Sequence, residues 1–256
     1  MTQNKVFTEK YLRPLLVALS PFVWFGILWA ASAIIDNPLI LPAPHEILLR
    51  FFGLATTAVF YRTVFSSLLR ILAGLAVGVI LGTLLGLFSF LFAPMRTLFR
   101  PLLGVVRATP VASSVILIWS LTGSKILPLV IAALMVIPIV ADQLVTGLEK
   151  ADPALGEVSD LYGFAPHRRL VVYRLPAALP YFFSSIVTSA GFAWKAGIAA
   201  EILATTKGSI GREIYFSKTY METLDLWAWT LAVILFSLLL ELIVKKTLRI
   251  IERRTK

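Results

Sequence analysis

Five ionisable side chains lie in, or at the edge of, segments that are otherwise apolar. They are Lys195, Glu201, Asp142, Arg70 and Arg107. A charge within hydrocarbon costs roughly 2.5–3.5 kcal/mol on insertion scales, so it usually faces a cavity or an opposite charge. Lys195 therefore has two interpretations. It supplies positive potential along a path for an anion, or it forms a structural ion pair with Asp142 or Glu201.

Residues for catalysis and for metal binding are scarce. The chain has two histidines, His45 and His167, and no cysteine. It contains neither H-E-x-x-H nor G-x-S-x-G, which argues against a membrane-embedded enzyme. It also lacks G-x-x-x-x-G-K-[ST], so energy from ATP has to come from a separate chain. We expect no catalytic residue, no metal and no cofactor.

The composition indicates an integral membrane protein. Of the 256 residues, 58% are hydrophobic and 15% are charged, and the mean hydropathy is +0.86. Soluble domains carry about 25% charged residues. The net charge of +10 does not indicate nucleic acid, because the Lys and Arg residues lie in short segments between apolar runs. The surroundings of this chain are therefore membrane lipid.

Six apolar runs are near the roughly 20 residues that a spanning helix needs. We predict an all-α, polytopic fold with spans at about 14–35, 64–92, 101–121, 126–147, 179–203 and 225–244. The third and fourth are separated by a tight polar turn, Thr122 to Lys125. The predicted organisation is a cytoplasmic segment at 1–13, a single transmembrane domain at 14–247 and a basic cytoplasmic tail at 248–256.

The distribution of Lys and Arg predicts the orientation. With the N-terminus inside, 15 of these 24 residues fall in cytoplasmic segments and 6 in outer segments. Both termini are then cytoplasmic, in the cell membrane. Ala31-Ser32-Ala33 also resembles a signal-peptidase site, but the preceding apolar run of about 20 residues exceeds the usual 7–15. We therefore interpret the first run as an anchor.

The loop at 148–178, between the fourth and fifth spans, predicts a short structured element. Asp152-Pro153 is typical of an N-cap followed by proline at the first helical position. A helix from about 153 to 162 would end at Gly163. Pro176 and Pro180 should break the chain where it re-enters the membrane. An ordinary interfacial loop is the alternative interpretation.

This loop resembles the cytoplasmic signature of binding-protein-dependent ABC importer permeases, EAA-x3-G-x9-I-x-LP. Glu157, Gly163 and Leu175-Pro176 occupy its fixed positions, while Val158-Ser159 replaces the two alanines and Tyr173 the isoleucine. Pro38 to Pro44, the glycine-rich second span and Leu175 to Pro180 are similar to the nitrate, sulfonate and taurine subgroup.

The resemblance implies a core like that of type I ABC importers and a permease homodimer. It also implies two cytoplasmic ATPase subunits, an external substrate-binding protein and a small, anionic or heterocyclic nutrient as substrate. The cytoplasmic loop would couple the permease to the ATPase. Its coupling residues would be Leu155, Glu157, Leu161, Tyr162, Gly163, Phe164, Leu175 and Pro176.

Candidate path residues lie on the third and fifth spans. The fifth span is the least apolar of the six. The candidates are Thr109, Trp119, Ser189, Trp194, Lys195 and Glu201. Pro110 frees a carbonyl within the third span, which favours a kink there, with a gate as the alternative.

Gly74, Gly78, Gly82 and Gly86 form a smooth face on the second span, which allows close packing within the subunit or against a second copy.

Two other transporter classes fit the sequence less well. A secondary transporter should show repeated halves with broken helices, and no internal repeat is visible. The membrane subunit of vitamin importers, which works without a binding protein, would be expected to carry Ala-Arg-Gly signatures on its coupling helices, and this chain lacks them.

Overall fold

The computed structural model describes residues 13–255, and all regular structure in that range is helical. Most of these helices carry mainly apolar side chains, and a helix satisfies its own backbone groups, as hydrocarbon requires. The helices are α1 (Arg13–Ile35), α2 (Pro44–Ala55), α3 (Ala58–Leu91), α4 (Ala93–Ala108), α5 (Val111–Glu149), α6 (Pro153–Leu161), α7 (Pro166–Arg169), α8 (Leu175–Leu203), α9 (Ile210–Thr219) and α10 (Thr223–Thr255).

Four helical stretches among the described residues are long and apolar enough to cross a membrane. They are Ala58–Leu91, Val111–Glu149, Pro166–Leu203 and Thr223–Ile251. Phe22–Ile35, within α1, is apolar but shorter. The all-α, multi-pass prediction is confirmed, whereas the number of six spans stays a prediction. Residues 248–255, predicted as a tail, continue the last helix.

The prediction of one continuous span at 101–121 is wrong. α4 ends at Ala108, Thr109 is extended (φ −75°, ψ 124°), and α5 begins at Val111. The cause is Pro110, which disfavours helical geometry in the residue before it. Pro110 thus produces a complete break rather than a kink.

A second break lies in α5 and confirms the turn predicted between Thr122 and Lys125. Gly123 has φ 71° and ψ 168°, and the chain is helical on both sides of it. The part before Gly123 has about 12 residues, or about 18 Å at 1.5 Å per residue, and is too short to span a membrane alone. Pro110 and Gly123 therefore isolate a short helical segment.

The glycine face of α3 packs within the subunit, against the long part of α5. A Cβ added at Gly78 would lie 2.6 Å from the Cβ of Val136, and one at Gly82 would lie 2.8 Å from the carbonyl oxygen of Ile137. These distances leave no room for a side chain. The sequence left the partner of this face open, and the structure assigns it to α5.

Two further glycines bring α8 onto the same bundle. A Cβ at Gly147 of α5 would lie 2.8 Å from the Cα of Ala178, and one at Gly197 of α8 would lie 2.6 Å from Cγ1 of Ile71. Small residues let helix backbones approach closely where lipid provides no hydrophobic driving force. Helices α3, α5 and α8 are therefore the core.

The prediction that Pro176 and Pro180 break the chain is wrong. α7 continues through a π-helical turn, Leu170–Arg174, directly into α8. A proline ring clashes with the carbonyl four residues earlier, which for Pro176 belongs to Val172 inside the wider π turn. There the Leu175 amide already bonds to the carbonyl of Leu170, five residues back. The π turn thus accommodates Pro176.

The close approach of α3 and α5 predicts different effects for two Gly→Ala substitutions. Gly78→Ala inserts a methyl group where Val136 leaves no space, which should cost about 1–3 kcal/mol. Gly53→Ala is the control, because nothing lies within 4 Å of an added Cβ. It should stabilise α2 by about 0.5–1 kcal/mol. Thermal unfolding of the purified chain in detergent measures both, and equal midpoints would contradict the packing.

Candidate coupling and translocation site

Helix α6 is delimited at both ends by the caps that the sequence predicts. The Asp152 carboxylate accepts a hydrogen bond from the Ala154 amide at 2.9 Å, and Pro153 opens the first turn. At the other end Gly163 has φ 63°, and the Phe164 amide donates to the Ser159 carbonyl at 2.9 Å. This is the Schellman geometry, in which glycine avoids left-handed strain. The helix predicted from about 153 to 162 is therefore present as α6, and its coupling role stays a prediction.

Side-chain contacts fold the following turn back onto α6. Arg169 forms an ion pair with Asp160, and its Nε donates to the Phe164 carbonyl at 2.7 Å. The Arg168 guanidinium lies 4.4 Å from the centroid of the Phe164 ring. These contacts fix the connection between α6 and α7, so the helix–turn–helix is a defined element and not an irregular loop.

The surface of α6 combines apolar and charged side chains. Leu155 and Val158 are each 50% exposed, Leu161 is 85% exposed and Tyr162 is 73% exposed. Glu157 is exposed too, whereas Ser159 is buried. Val158 was missed by sequence reasoning, although its position three residues from both Leu155 and Leu161 places it on the same helical face.

The chain that follows α6 and α7 is attached to the core by an apolar cluster. Leu144 and Leu148 of α5 and Ala178 of α8 are buried together, and Leu170 and Leu175 pack against them. Leu175 thus contributes to this attachment and not to the exposed surface. Pro176, in the first turn of α8, is exposed, and Phe164 is half-buried. The predicted coupling residues on and just after α6 are therefore mostly exposed, whereas Leu175 at the start of α8 anchors the turn to the core.

Glu201 is the centre of a buried network at the opposite end of α8. It is fully buried and accepts hydrogen bonds from Ser67 Oγ at 2.8 Å and from the Gly211 amide at 3.3 Å. Arg70 lies 3.3 Å from the other carboxylate oxygen. Ser67 Oγ also accepts from the Ile210 amide at 2.9 Å. One carboxylate thus joins α3, α8 and α9.

The ion pair predicted between Lys195 and Asp142 or Glu201 is wrong. Asp142 pairs with Arg107, and Glu201 pairs with Arg70. Arginine presents a planar fork of donors that fits a carboxylate, and both arginines face these acids across helix contacts. Lys195 is exposed, and no described side chain or carbonyl forms an ion pair or hydrogen bond with it.

Three predicted path residues are buried. Trp194 and Glu201 are fully covered, and the Trp194 indole donates to the Val233 carbonyl at 3.0 Å, which ties α8 to α10. Ser189 is also fully buried, and its hydroxyl has no hydrogen-bond partner among the described residues. Within this subunit these side chains do not line an open path, because core packing occupies every side of them.

The remaining path candidates keep accessible surface. Trp119 is 41% exposed and Thr109 is half-buried at the Pro110 break. Lys195 belongs to a strip along α8 that also contains Ser184 and Thr188, all exposed. We name these three residues the α8 strip. Their spacing of four and seven residues puts them on one helical face.

The chain matches the model of the binding-protein-dependent transport system inner membrane component over residues 74–256. It belongs to this family. The permease is therefore an inner-membrane, multi-pass subunit of an ABC importer, as the signature in the loop predicted. Comparison with curated protein sequences finds no match.

The fold of the permease is similar to that in the crystal structure of an amino acid ABC transporter with histidines. The TM-score is 0.65, the sequence identity is 16%, and the match covers 80% of this chain and 98% of the other. At this identity the similarity shows the fold alone. No cluster of three or more His, Cys, Asp or Glu residues suited to a metal ion occurs among the residues described.

The two buried serines predict opposite results on truncation. Ser67→Ala removes a donor to Glu201 and an acceptor for Ile210, so it should lower the free energy of unfolding by about 1–3 kcal/mol. Ser189→Ala removes an unpaired buried hydroxyl and should be neutral or stabilising. Thermal unfolding in detergent provides the comparison, and a larger loss for Ser189→Ala would argue against the network.

Proposed function

We propose that two copies of this permease form a translocation path for a small anionic or heterocyclic nutrient. Two cytoplasmic ATPases drive the path through the segment at 148–178, and an external binding protein delivers the substrate. ATPase and binding-protein partners are typical of the family to which the chain belongs. The oligomeric state, the substrate class and the coupling residues are the new parts of this proposal.

The observation that carries the coupling assignment is the surface of α6. Exposed apolar side chains on a helix with fixed ends form a patch suited to a protein partner. Leu155, Val158, Leu161 and Tyr162 supply this patch, and Glu157 adds a charge beside it. A partner that pushes on α6 would act on α5 and α8 through Leu170 and Leu175. The excess of Lys and Arg in this part of the chain supports a cytoplasmic location.

The α8 strip supports a path between two subunits. Polar groups on a membrane helix face other protein or a water-filled cavity, because lipid leaves them unsatisfied. Nothing in the described part of the chain covers Ser184, Thr188 or Lys195. Apolar residues of the short segment before Gly123, such as Leu121 at 84% exposure, are uncovered as well. A second copy would cover both surfaces.

Lys195 supports the anionic substrate class. Its ammonium group is the charge on the α8 strip. The two acids predicted as its partners, Glu201 and Asp142, pair with arginines instead. A cation that lacks a structural partner is available to an anion passing the strip. The similarity to the nitrate, sulfonate and taurine subgroup favours the same class.

Substitutions at Gly163 and Glu157 test the coupling assignment. Gly163→Val places a β-branched residue at φ 63°, where the strain is about 1–2 kcal/mol, while no steric clash interferes. We expect a folded permease with reduced stimulation of the ATPase, in vesicles that contain the whole importer. Glu157→Lys should have the same effect by reversing the charge beside the apolar patch.

Gly163→Asn is the matched control, because asparagine tolerates left-handed geometry, and it should retain stimulation. Normal ATPase stimulation and uptake in both Gly163→Val and Glu157→Lys would exclude this segment as the coupling element.

Lys195→Gln tests the path. The structure gives Lys195 no partner to lose, so the yield of folded permease should not change, whereas uptake of an anion should fall several-fold. The measurement uses labelled nitrate, methanesulfonate and taurine in vesicles with the complete importer. Lys125→Gln, an exposed lysine at the turn after Gly123, is the control of equal charge. Unchanged uptake in Lys195→Gln would remove this residue from the path.

A further inference from the structure

A polar cavity lies near α6, the proposed coupling helix, and plays no part in the function proposed above. It has a volume of about 330 Å³ and is formed by α4, by the last two turns of α5 and by Ser89 near the end of α3. Glu149, at its rim, is three residues from the cap at Asp152. Most of the other bundle surface is apolar, so a cavity rich in arginine is a distinct feature.

Three arginines of α4 line this cavity against two acids of α5. Arg96 lies 2.6 Å from Glu149, and Arg107 pairs with Asp142. Arg100, between Arg96 and Arg107 along α4, also lines the cavity and forms neither an ion pair nor a hydrogen bond with any described group. Three guanidinium groups and two carboxylates leave a net charge of +1, which belongs to Arg100.

Two hydroxyl groups complete the lining. Ser89 is buried and Thr146 is exposed, and both line the cavity. Neither hydroxyl makes a hydrogen bond within the described part of the chain. Arg100, Ser89 and Thr146 thus provide unused donors around one space. A charged fork with additional hydroxyl donors is the arrangement that binds a planar or tetrahedral oxyanion.

The depth of the cavity fits a group at the membrane boundary. Asp142 and Glu149 are seven residues apart on α5, which is about 10 Å along a helix. The cavity therefore extends from the end of the bundle towards the apolar part of the core. On the outer side of α4, Leu98, Leu102 and Val105 are exposed. An amphipathic helix with arginines on one face and leucines on the other is typical of the interface with lipid headgroups.

We propose that this cavity is a binding site for one singly charged oxyanion, either a phosphodiester or a sulfonate. Arg100 neutralises the anion, and Ser89 and Thr146 donate to its oxygens. The pairs of Arg96 and Arg107 limit the site to one negative charge. The phosphodiester of an anionic phospholipid headgroup and a free sulfonate share this chemistry, and the site is independent of Lys195 and of the transported nutrient.

The test is a binding titration of the full-length chain in detergent. The probes are short-chain phosphatidylglycerol, phosphatidylcholine of the same chain length and methanesulfonate. Native mass spectrometry and calorimetry measure the binding of each probe. Arg100→Gln should weaken binding of the anionic probe about tenfold or more, which corresponds to the loss of one charge-assisted interaction. Lys150→Gln removes an exposed charge beside the cavity and should leave binding unchanged.

Glu149→Gln should change the binding affinity in the opposite direction. It frees Arg96, an exposed residue, and raises the net charge of the cavity to +2. Binding should then tighten by a factor of about three to ten. A purely structural role for the arginines would not produce opposite effects from Arg100→Gln and Glu149→Gln. Unfolding midpoints of all variants show whether each one is folded before its binding is compared.

The outcomes separate the two sources. A lipid headgroup site is identified if the chain retains phosphatidylglycerol in preference to phosphatidylcholine. This preference should be lost in Arg100→Gln, and methanesulfonate should not displace the lipid. Binding of methanesulfonate that depends on Arg100 identifies a site for a soluble anion. If neither probe binds, or if Arg100→Gln and Lys150→Gln behave alike, the site does not exist.

Discussion

Close approach of α3, α5 and α8 through small residues is the constraint on which the rest of the permease depends. Lipid provides little drive for helix association, so contact between backbones has to supply the stability. The glycines of α3 meet α5, Gly147 meets α8, and Gly197 receives Ile71 of α3. This three-helix core fixes both ends of the molecule. The cluster around Leu144 holds the turn between α7 and α8 at one end, and the Glu201 network holds α9 at the other.

Charge pairing within this core separates structural ions from available ones. Glu201 and Asp142 are each satisfied by an arginine from a different helix. An unpaired charge at Glu201 would be costly, since this side chain is fully buried and burial without a partner is strongly destabilising. Lys195 and Arg100 stay outside these pairs. Lys195 lies on the α8 strip, and Arg100 lies in the cavity between α4 and α5. An external anion therefore meets no competing carboxylate partner at Lys195 or at Arg100.

Rigid elements and breaks alternate along the chain in a way that suits transmission of movement. α6 is closed by caps at both ends, and the π turn carries α7 into α8 without a break. In contrast, Pro110 and Gly123 isolate the short segment that lies against the second half of α8, where Val115 packs with Ala196 and Ala200. A push on α6 would reach α8 as a whole, whereas the segment between the two breaks can adjust separately.

The sequence by itself determined those features that depend on neighbours along the chain. The cap at Asp152, the stop at Gly163, the turn at Gly123 and the apolar content of the helices all arise from local chemistry. The signature from Glu157 to Pro176 also placed the chain in its family. Only the tertiary structure decided which partner each group meets. Lys195 and Trp194 are adjacent in sequence, yet one is exposed and the other fully buried. The pairing of Glu201 with Arg70 joins residues 131 positions apart. Such contacts depend on how the helices pack against one another. The residue pattern of one helix defines its apolar and polar faces but does not determine which helix packs against each face.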